Sequence, residues 1–265
     1  MEIVVLVKQV PDTSEVKIDP VKGTLIREGV ESIMNPDDAC ALELAIRLKE
    51  IHGGSITAIS MGPPQAREVL QEAIGMGADK AVLLTDKAFA GADTLATSYA
   101  LGKCIQQIKG YDLVICGRQA IDGDTAQIGP QVAEFLGIPQ ITYVDELDVK
   151  DGKVKARRSL EDGYQEIEAK LPALISVIKG EHAPRYPNMA LLIDACDPNA
   201  NITTMNAADI RAQADLIGLK GSPTWVVRTF SPKCDKCCER LQGDKKEVVK
   251  CLLGRLDGKG LLRRG

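Results

Sequence analysis

The chain has 265 residues, 45% hydrophobic and 26% charged, with a formal net charge of −4; these are ordinary values for a globular protein with one good core and some length left for a small second unit. That charge, with aromatic residues at 3%, argues against a nucleic-acid partner, which needs a basic face to displace counterions and rings to stack on bases. Only two histidines, His52 and His182, stand far apart in sequence, which excludes a multi-histidine metal site within the chain, and no apolar run is long enough to cross a bilayer.

Residues Ile3 to Val7 form a short continuous apolar run, as expected of a strand covered on both faces. No basic n-region precedes it and no cleavage site follows, so the expected location is cytoplasmic. Val16 to Val30 alternates weakly around Asp19-Pro20 and Lys22-Gly23, which suits a hairpin-like excursion. Asn35-Pro36-Asp37-Asp38 reads as a helix start, with Asn at the cap, Pro at the first helical position and two acids in the first turn. That helix is expected to run to about Glu50, burying Leu42, Ala45 and Ile46, and to stop at Gly53-Gly54. Ser55 to Met61 is the second strand, followed by a helix carrying Val69, Leu70, Ala73 and Ile74 that Gly75 and Gly77 close. Lys80 to Leu84 is the third strand, and Asp93 caps a helix reaching about Ile108. The fourth strand, Asp112 to Cys116, enters a loop rich in Gly and Asp, and a helix is expected from about Asp124 or Thr125.

This alternation implies an α/β fold, a parallel doubly wound sheet with helices on both faces. From Ile141 to Ile178 four extended runs, divided by Asp151-Gly152, Asp162-Gly163 and Lys170-Leu171-Pro172, read as antiparallel strands at the edge of that sheet. A short apolar helix follows near Met189 to Ala195, and Leu216 to Phe230 is apolar, extended and without a partner in sequence. A last amphipathic helix places Val248, Val249, Leu252, Leu253 and Leu256 on one side. The expected division is an α/β domain over residues 1–190 and a C-terminal arm and helix over 191–265. That arm is buried either against another chain or back on its own domain.

Eight cysteines without a secretion signal read as thiols, with Cys40, Cys104 and Cys116 in apolar stretches that suit a core. Cys234, Cys237 and Cys238 form C-x-x-C-C, a spacing used for zinc or iron–sulfur clusters; no matching pair or nearby histidine accompanies it, so no metal is expected.

Ligands of parallel sheets gather at the carboxyl ends of the strands, which selects Leu6 to Val10, Ser60 to Gly62, Asp86 to Thr94 and Gly117 to Thr125. In the last of these a strand hands over to a helix, whose first N–H groups carry partial positive charge, and phosphate is the usual occupant. The local alternative is an ordinary cap, with Asp124 accepting from the N–H of Ala126 or Gln127 and Gly123 turning the chain; these residues alone leave both readings open. A P-loop, a G-x-G-x-x-G and a G-x-S-x-G are all missing from the sequence, and no catalytic dyad stands out. A nucleotide site whose chemistry belongs to a cofactor is what remains.

Asn35-Pro36 opening the first helix, Ser60-Met61-Gly62-Pro63, Gln119-Ala-Ile-Asp122-Gly-Asp-Thr125, and Leu171-Pro-Ala followed by Pro184-Arg-Tyr186 resemble the beta subunit of electron transfer flavoprotein, from the first strand to about Ala195. The resemblance implies an adenine-nucleotide alpha-hydrolase-like fold and a C-terminal arm wrapped around an alpha subunit. It also implies a site drawn from Leu6, Asn35 to Asp38, Met61 and Gly123 to Glu134. Ordinary members hold AMP there; members that bifurcate electrons hold a second FAD exposed to NADH. Asp122-Gly-Asp-Thr-Ala-Gln127 and Gly91-Ala-Asp-Thr94-Leu-Ala-Thr97 resemble the bifurcating pattern, although first-turn hydrogen bonding would also account for Thr94 and Thr97.

The cofactor-binding set so implied is Leu6, Asn35, Asp38, Met61, Thr94, Thr97, Arg118, Asp122, Gly123, Asp124, Thr125, Gln127, Ile128 and Gly129, around FAD or, in the ordinary type, AMP. NADH is the implied hydride donor and ferredoxin the low-potential acceptor. A flavin dehydrogenase of acyl-CoA or lactate type is reached through the alpha-subunit FAD. Arg118 is either a charge near the flavin or phosphates or part of a surface ion pair. Arg185, Tyr186 and Met189 fall where the family recognises its partner dehydrogenase. The chain departs from the family pattern at Ile193-Asp-Ala, where lysines are common, and in its C-x-x-C-C tail. Outside the family, the alternative is a stand-alone ATP-binding module of the same topology, weakened by the lack of a Ser-Gly-Gly-x-Asp-Ser loop.

Overall fold

The computed structural model describes residues 1–12, 17–18, 25–26, 31–108, 110–179, 183–198, 200–227 and 238–262. In chain order the strands and helices are β1 (Glu2–Leu6), β2 (Gln9–Pro11), β3 (Lys17–Ile18), β4 (Leu25–Ile26), β5 (Ser32–Met34), α1 (Pro36–His52), β6 (Ser55–Met61), α2 (Arg67–Met76), β7 (Lys80–Leu84) and α3 (Thr94–Gln107). They continue as β8 (Leu113–Gly117), α4 (Ile128–Leu136), β9 (Gln140–Lys150), β10 (Lys153–Leu160), β11 (Gly163–Lys170), β12 (Ala173–Val177), α5 (Met189–Ala195), β13 (Ile202–Met205) and α6 (Lys245–Gly258). The chain divides into two compact units, Met1–Arg228 and Thr229–Gly265. The first continues past residue 190, because α5 packs on α2 through Gln71, whose amide reaches the Ala195 carbonyl at 3.4 Å, and β13 joins the sheet.

Among the described residues nine strands form one sheet in the order β11-β10-β9-β12-β8-β1-β6-β7-β13. Side chains of a strand alternate between faces, and β1 serves two layers accordingly. Ile3 and Val5 pack with Leu42 and Ala45 of α1 and Leu70 of α2; Val4 and Leu6 pack with Leu101 of α3 and Val132 of α4. Each fully buried side chain of this size contributes about 1.5–3 kcal/mol, so both faces of β1 are strongly specified. The expected doubly wound α/β fold is present. The chain moves outward through β6 and β7 on one side of β1 and returns to place β8 on the other. The reversal between β1 and β8 is the position where such sheets receive ligands.

The short pair β3 and β4 is antiparallel, as the hairpin reading expects. The fourth extended run is a correction: β12 is no antiparallel edge strand but an inner one, parallel to β8 through Ala173↔Leu113 and to β9 through Leu174↔Gln140. Its five residues are all buried, the pattern of a parallel strand covered on both faces, whereas β10 and β11 pair antiparallel at the sheet edge and bury only part of one face, through Val154 and Ala156 of β10 with Ile167 and Ala169 of β11. Gly75 does not close α2 but lies inside it. A Cβ there would meet Pro187 Cβ at 3.1 Å and Leu192 Cβ at 3.3 Å, so the glycine lets α5 approach. The stretch from Leu216 turns rather than extends up to Gly221, with the Leu219 N–H donating to Ala90 O at 3.1 Å. Beyond it Trp225, Val226 and Val227 are exposed, and in α6 of the second unit Val249, Leu252 and Leu253 are about half exposed. No described helix is long and apolar enough to cross a membrane.

Candidate functional site

The cleft between the ends of β1 and β8 is built by one buried carboxylate. Asp38, in the first turn of α1, accepts the Lys8 N–H at 2.9 Å on one oxygen and the Gly117 N–H at 3.0 Å on the other, joining the two strand ends. The approach requires glycine on β8: a Cβ at Gly117 would stand 2.4 Å from Asp38 Oδ1 and 2.7 Å from the Asp37 carbonyl carbon. Burial pushes the Asp38 carboxyl up to about 7, against the hydrogen bonds from Asn35, Lys8 and Gly117 that pull it down.

Asn35 departs from its expected capping role. It stands at the cap position of α1 but makes no capping bond. Its amide instead donates to Gln119 O at 2.8 Å and its carbonyl accepts the Ile121 N–H at 3.1 Å. Pro36 at the first helical position has no N–H to satisfy, and the fully buried Asn35 side chain meets the backbone of the loop after β8, which would otherwise be left unpaired.

That loop ends later than its sequence suggests. Asp124 and Ala126 adopt left-handed φ values of 53° and 54°, which interrupt a helix, and α4 starts at Ile128 rather than Asp124 or Thr125. The Asp124 carboxylate is held by the Gln119 amide instead of capping α4. Gly123 lies in a turn as expected, its N–H donating to Ala120 O at 3.3 Å, but without a left-handed φ, and a Cβ there would meet nothing within 4 Å. Gln127 occupies the cap position without capping, and no acid lies in the first turn of α4. Gly129 is packed: a Cβ would come within 2.9 Å of Cys116 Sγ, so α4 lies close on β8.

Charges line the cleft in pairs. Lys8, inside the selected Leu6 to Val10 strand end but not in the expected cofactor-binding set, contacts both Asp122 oxygens through Nζ at 2.7 and 2.8 Å; a lysine directly after the apolar run of β1 was the available signal. Arg118 Nε stands 3.6 Å from Asp37 Oδ2, and both atoms are buried without a hydrogen-bond partner among the described residues. Burial raises the Asp37 carboxyl and the neighbouring Arg118 opposes that rise. The Thr94 hydroxyl donates to Gln127 Oε1 at 2.8 Å, Gln131 donates back to it at 3.4 Å, and Ser98 donates to Gln131 at 3.0 Å. The amino ends of α3 and α4 are thereby joined, and Thr94 is engaged between helices. Thr97 is half-buried on the next turn.

Hydrogen bonds tie Asn35, Asp38, Asp122 and Asp124 to the ends of β1 and β8 and the loop after β8 through Lys8, Gly117, Gln119 and Ile121, and a separate bond ties Thr94 to Gln127 at the start of α4; Leu6 and Met61 belong to the apolar layer on that face of the sheet. Thr125 lies exposed on the loop between. Arg185, Tyr186 and Met189 lie elsewhere. The Arg185 guanidinium grips Glu43 at 2.8 Å and Glu50 at 2.7 Å on α1, while Tyr186 is 96% and Met189 67% exposed. Cys40, Cys104 and Cys116 are buried and Cys238 is exposed; Cys234 and Cys237 lie outside the described residues. No group of His, Cys, Asp and Glu suited to a metal ion occurs among the described residues.

A helix start that lacks a side-chain cap and an acid in its first turn suits an anionic ligand such as phosphate, while the Arg118 guanidinium is engaged with Asp37 at the start of α1. The sheet defines a doubly wound α/β protein, with the start of α4 following the strand at its switch point. A family model described as "Electron transfer flavoprotein domain" matches residues 22–214. The chain is 53% identical over 262 residues to the electron transfer flavoprotein subunit beta of Thermoanaerobacterium thermosaccharolyticum, covering 99% of this chain and 100% of that one. It is 52% identical over 256 residues to the protein of that description from Clostridium acetobutylicum, covering 97% and 98%. It is 48% identical over 264 residues to the caffeyl-CoA reductase-Etf complex subunit CarD of Acetobacterium woodii, covering 99% and 100%. The chain belongs to the electron transfer flavoprotein family, in its beta-subunit branch.

Proposed function

We propose that the chain is the beta subunit of a heterodimeric electron transfer flavoprotein of the bifurcating type, with FAD in the cleft between β1 and β8. The observation that carries this reading is the amino end of α4, uncapped and free of acids, facing a loop in which Gly123 has open space around it. The N–H groups of Ile128 and Gly129 would receive a pyrophosphate, and Gly123 would let the loop backbone approach it closely. Arg118 supplies positive charge, Leu6 and Met61 an apolar wall, and Asn35 and Asp38 act behind the ligand by holding the loop and the two strand ends. When bound, FAD supplies acceptance of hydride from NADH and delivery of single electrons to ferredoxin and, through an alpha-subunit FAD, to a partner flavin dehydrogenase. The protein's part is to orient that group, exclude water from its buried side and hold the charges around it.

The exposed apolar side chains of α6 and of residues 225–227 support an arm that packs on the alpha subunit, and Tyr186 and Met189 support a contact with the dehydrogenase. The similarity to a subunit of a caffeyl-CoA reductase-Etf complex favours an acyl-CoA type of partner over a lactate type. The cytoplasm is the proposed location. A second reading, AMP alone in the cleft of an ordinary electron carrier, is favoured by the bond that already engages Thr94 with Gln127. Co-expression with the alpha subunit and a count of nucleotides per heterodimer separates the two. Two FAD and absorbance bleached by NADH are expected; one FAD plus one AMP overturns the bifurcating reading.

A further inference from the structure

Asp93 stands just outside the residues assigned to the cleft and is the most heavily used carboxylate near it. One oxygen accepts the N–H groups of Leu95 at 3.0 Å and Ala96 at 3.1 Å, capping α3. The other accepts the hydroxyl of Thr224 at 2.7 Å and its N–H at 3.1 Å. Four donors thus fill the acceptor positions of one carboxylate. The Asp93 N–H in turn donates to Ser222 Oγ at 2.8 Å, and that hydroxyl donates to Gly218 O at 2.7 Å. Ser222 and Thr224 lie 129 and 131 residues away in sequence, in the last segment before the first compact unit ends at Arg228. The next residue along from Asp93 is Thr94, whose hydroxyl bonds Gln127 at the start of α4.

Two hydrogen-bonded groups, one from the root of the C-terminal arm to Asp93 and one from Thr94 to the start of α4, are therefore joined by the single peptide link between Asp93 and Thr94. We propose that Asp93 is a positioning residue that couples nucleotide occupancy of the cleft to the root of the C-terminal arm. This rests on the nucleotide reading above. A ligand seated at the start of α4 holds Gln127 and with it Thr94; Asp93, fixed at the same helix start, then holds Thr224. Coupling of this kind is reciprocal, so whatever factor the ligand applies to the arm root, the arm root applies to the ligand.

The test is hydrogen exchange on the full-length chain, with and without FAD, beside FAD and AMP affinities by calorimetry. Asp93→Asn isolates the arm contact: asparagine caps a helix about as well as aspartate, but its amide NH2 would face the two donors of Thr224. FAD is expected to slow exchange in residues 216–227 of the wild-type chain at least ~3-fold. In D93N, exchange there rises about tenfold without ligand, exchange in residues 96–107 is unchanged, and FAD binds about 3-fold more weakly and no longer protects the segment. Thr224→Val, which removes one of the bonds, gives a smaller change of the same sign. FAD binding to the wild-type chain without any effect on 216–227, or D93N and T224V chains with a loosened segment and unchanged FAD affinity, overturns the coupling and leaves the nucleotide reading standing. Binding of neither FAD nor AMP to the wild-type chain overturns both.

Discussion

The two helices that begin at the cleft, α1 and α4, meet it in opposite ways. At α1 the chain supplies its own carboxyls: Asp37 and Asp38 lie in the first turn, Asp38 takes backbone N–H groups from both neighbouring strand ends, and Asn35 ties down the loop opposite. At α4 the first turn carries no acid, the cap position goes to Gln127, and the preceding loop is exposed and twice left-handed. Both helix starts carry the partial positive charge of unpaired N–H groups. The protein's own carboxyls stand at the first, and no acid stands in the first turn of the second, which is the end proposed to take the ligand. The contrast separates buried scaffold residues at α1 from exposed ones at α4 among residues that sequence alone groups together.

Mutations should divide along the same line. The largest effect is expected at Gly117→Ala, where the new methyl would press into Asp38 and the backbone of α1; a loss of about 3 kcal/mol in urea unfolding is expected, and a loss near zero would show that α1 is not rigidly held. Asp38→Asn removes one of two buried acceptors and should cost about 1–3 kcal/mol. It also changes the pH response. Because the folded carboxyl is raised from 3.8 to about 7, its contribution to stability is fully present below the ordinary carboxylate pKa and is lost as pH rises through about 7. Unfolding measured at pH 5 and pH 8 should therefore show a wild-type decline that the asparagine variant lacks.

On the α4 side the expected changes are in binding rather than folding. Gly123→Val meets open space and needs no left-handed φ, so stability should stay within about 0.5 kcal/mol, while FAD and AMP affinities fall at least ~10-fold, about 1.4 kcal/mol. Equal affinities in wild type and variant would remove the loop from the site. The smallest effect belongs to Gln127→Glu. An acid at the start of α4 should stabilise the free chain by about 0.3–1 kcal/mol and at the same time weaken nucleotide binding, a pair of opposite signs visible in thermal melts with and without AMP. If both moved together, α4 would be no more an anion site than α1.

Much of the fold was legible because its signals are local. Ser55 to Met61, Lys80 to Leu84 and Met189 to Ala195 coincide with β6, β7 and α5, since apolar runs and periodic stripes flanked by Gly, Pro and caps act within a few residues. The cap at Asp93 was legible for the same reason, but its second oxygen was not, because Thr224 lies 131 residues on. β13 escaped notice because a four-residue edge strand with two threonines carries no pattern of its own.

Periodicity and punctuation along the chain determined the alternation of strands and helices, the doubly wound class and the loops that share one end of the sheet. Only the tertiary structure decided which side chain does what there. Asn35 leaves its cap for Gln119 and Ile121, 84 and 86 residues away, and Asp38 bonds Gly117, 79 residues away. β12 slips between β8 and β9, and α4 waits until Ile128 to begin. Each of these outcomes depends on a buried polar group finding a partner, or an apolar strand finding cover on two faces, and both are settled by what the fold brings alongside rather than by the neighbouring residues in the chain.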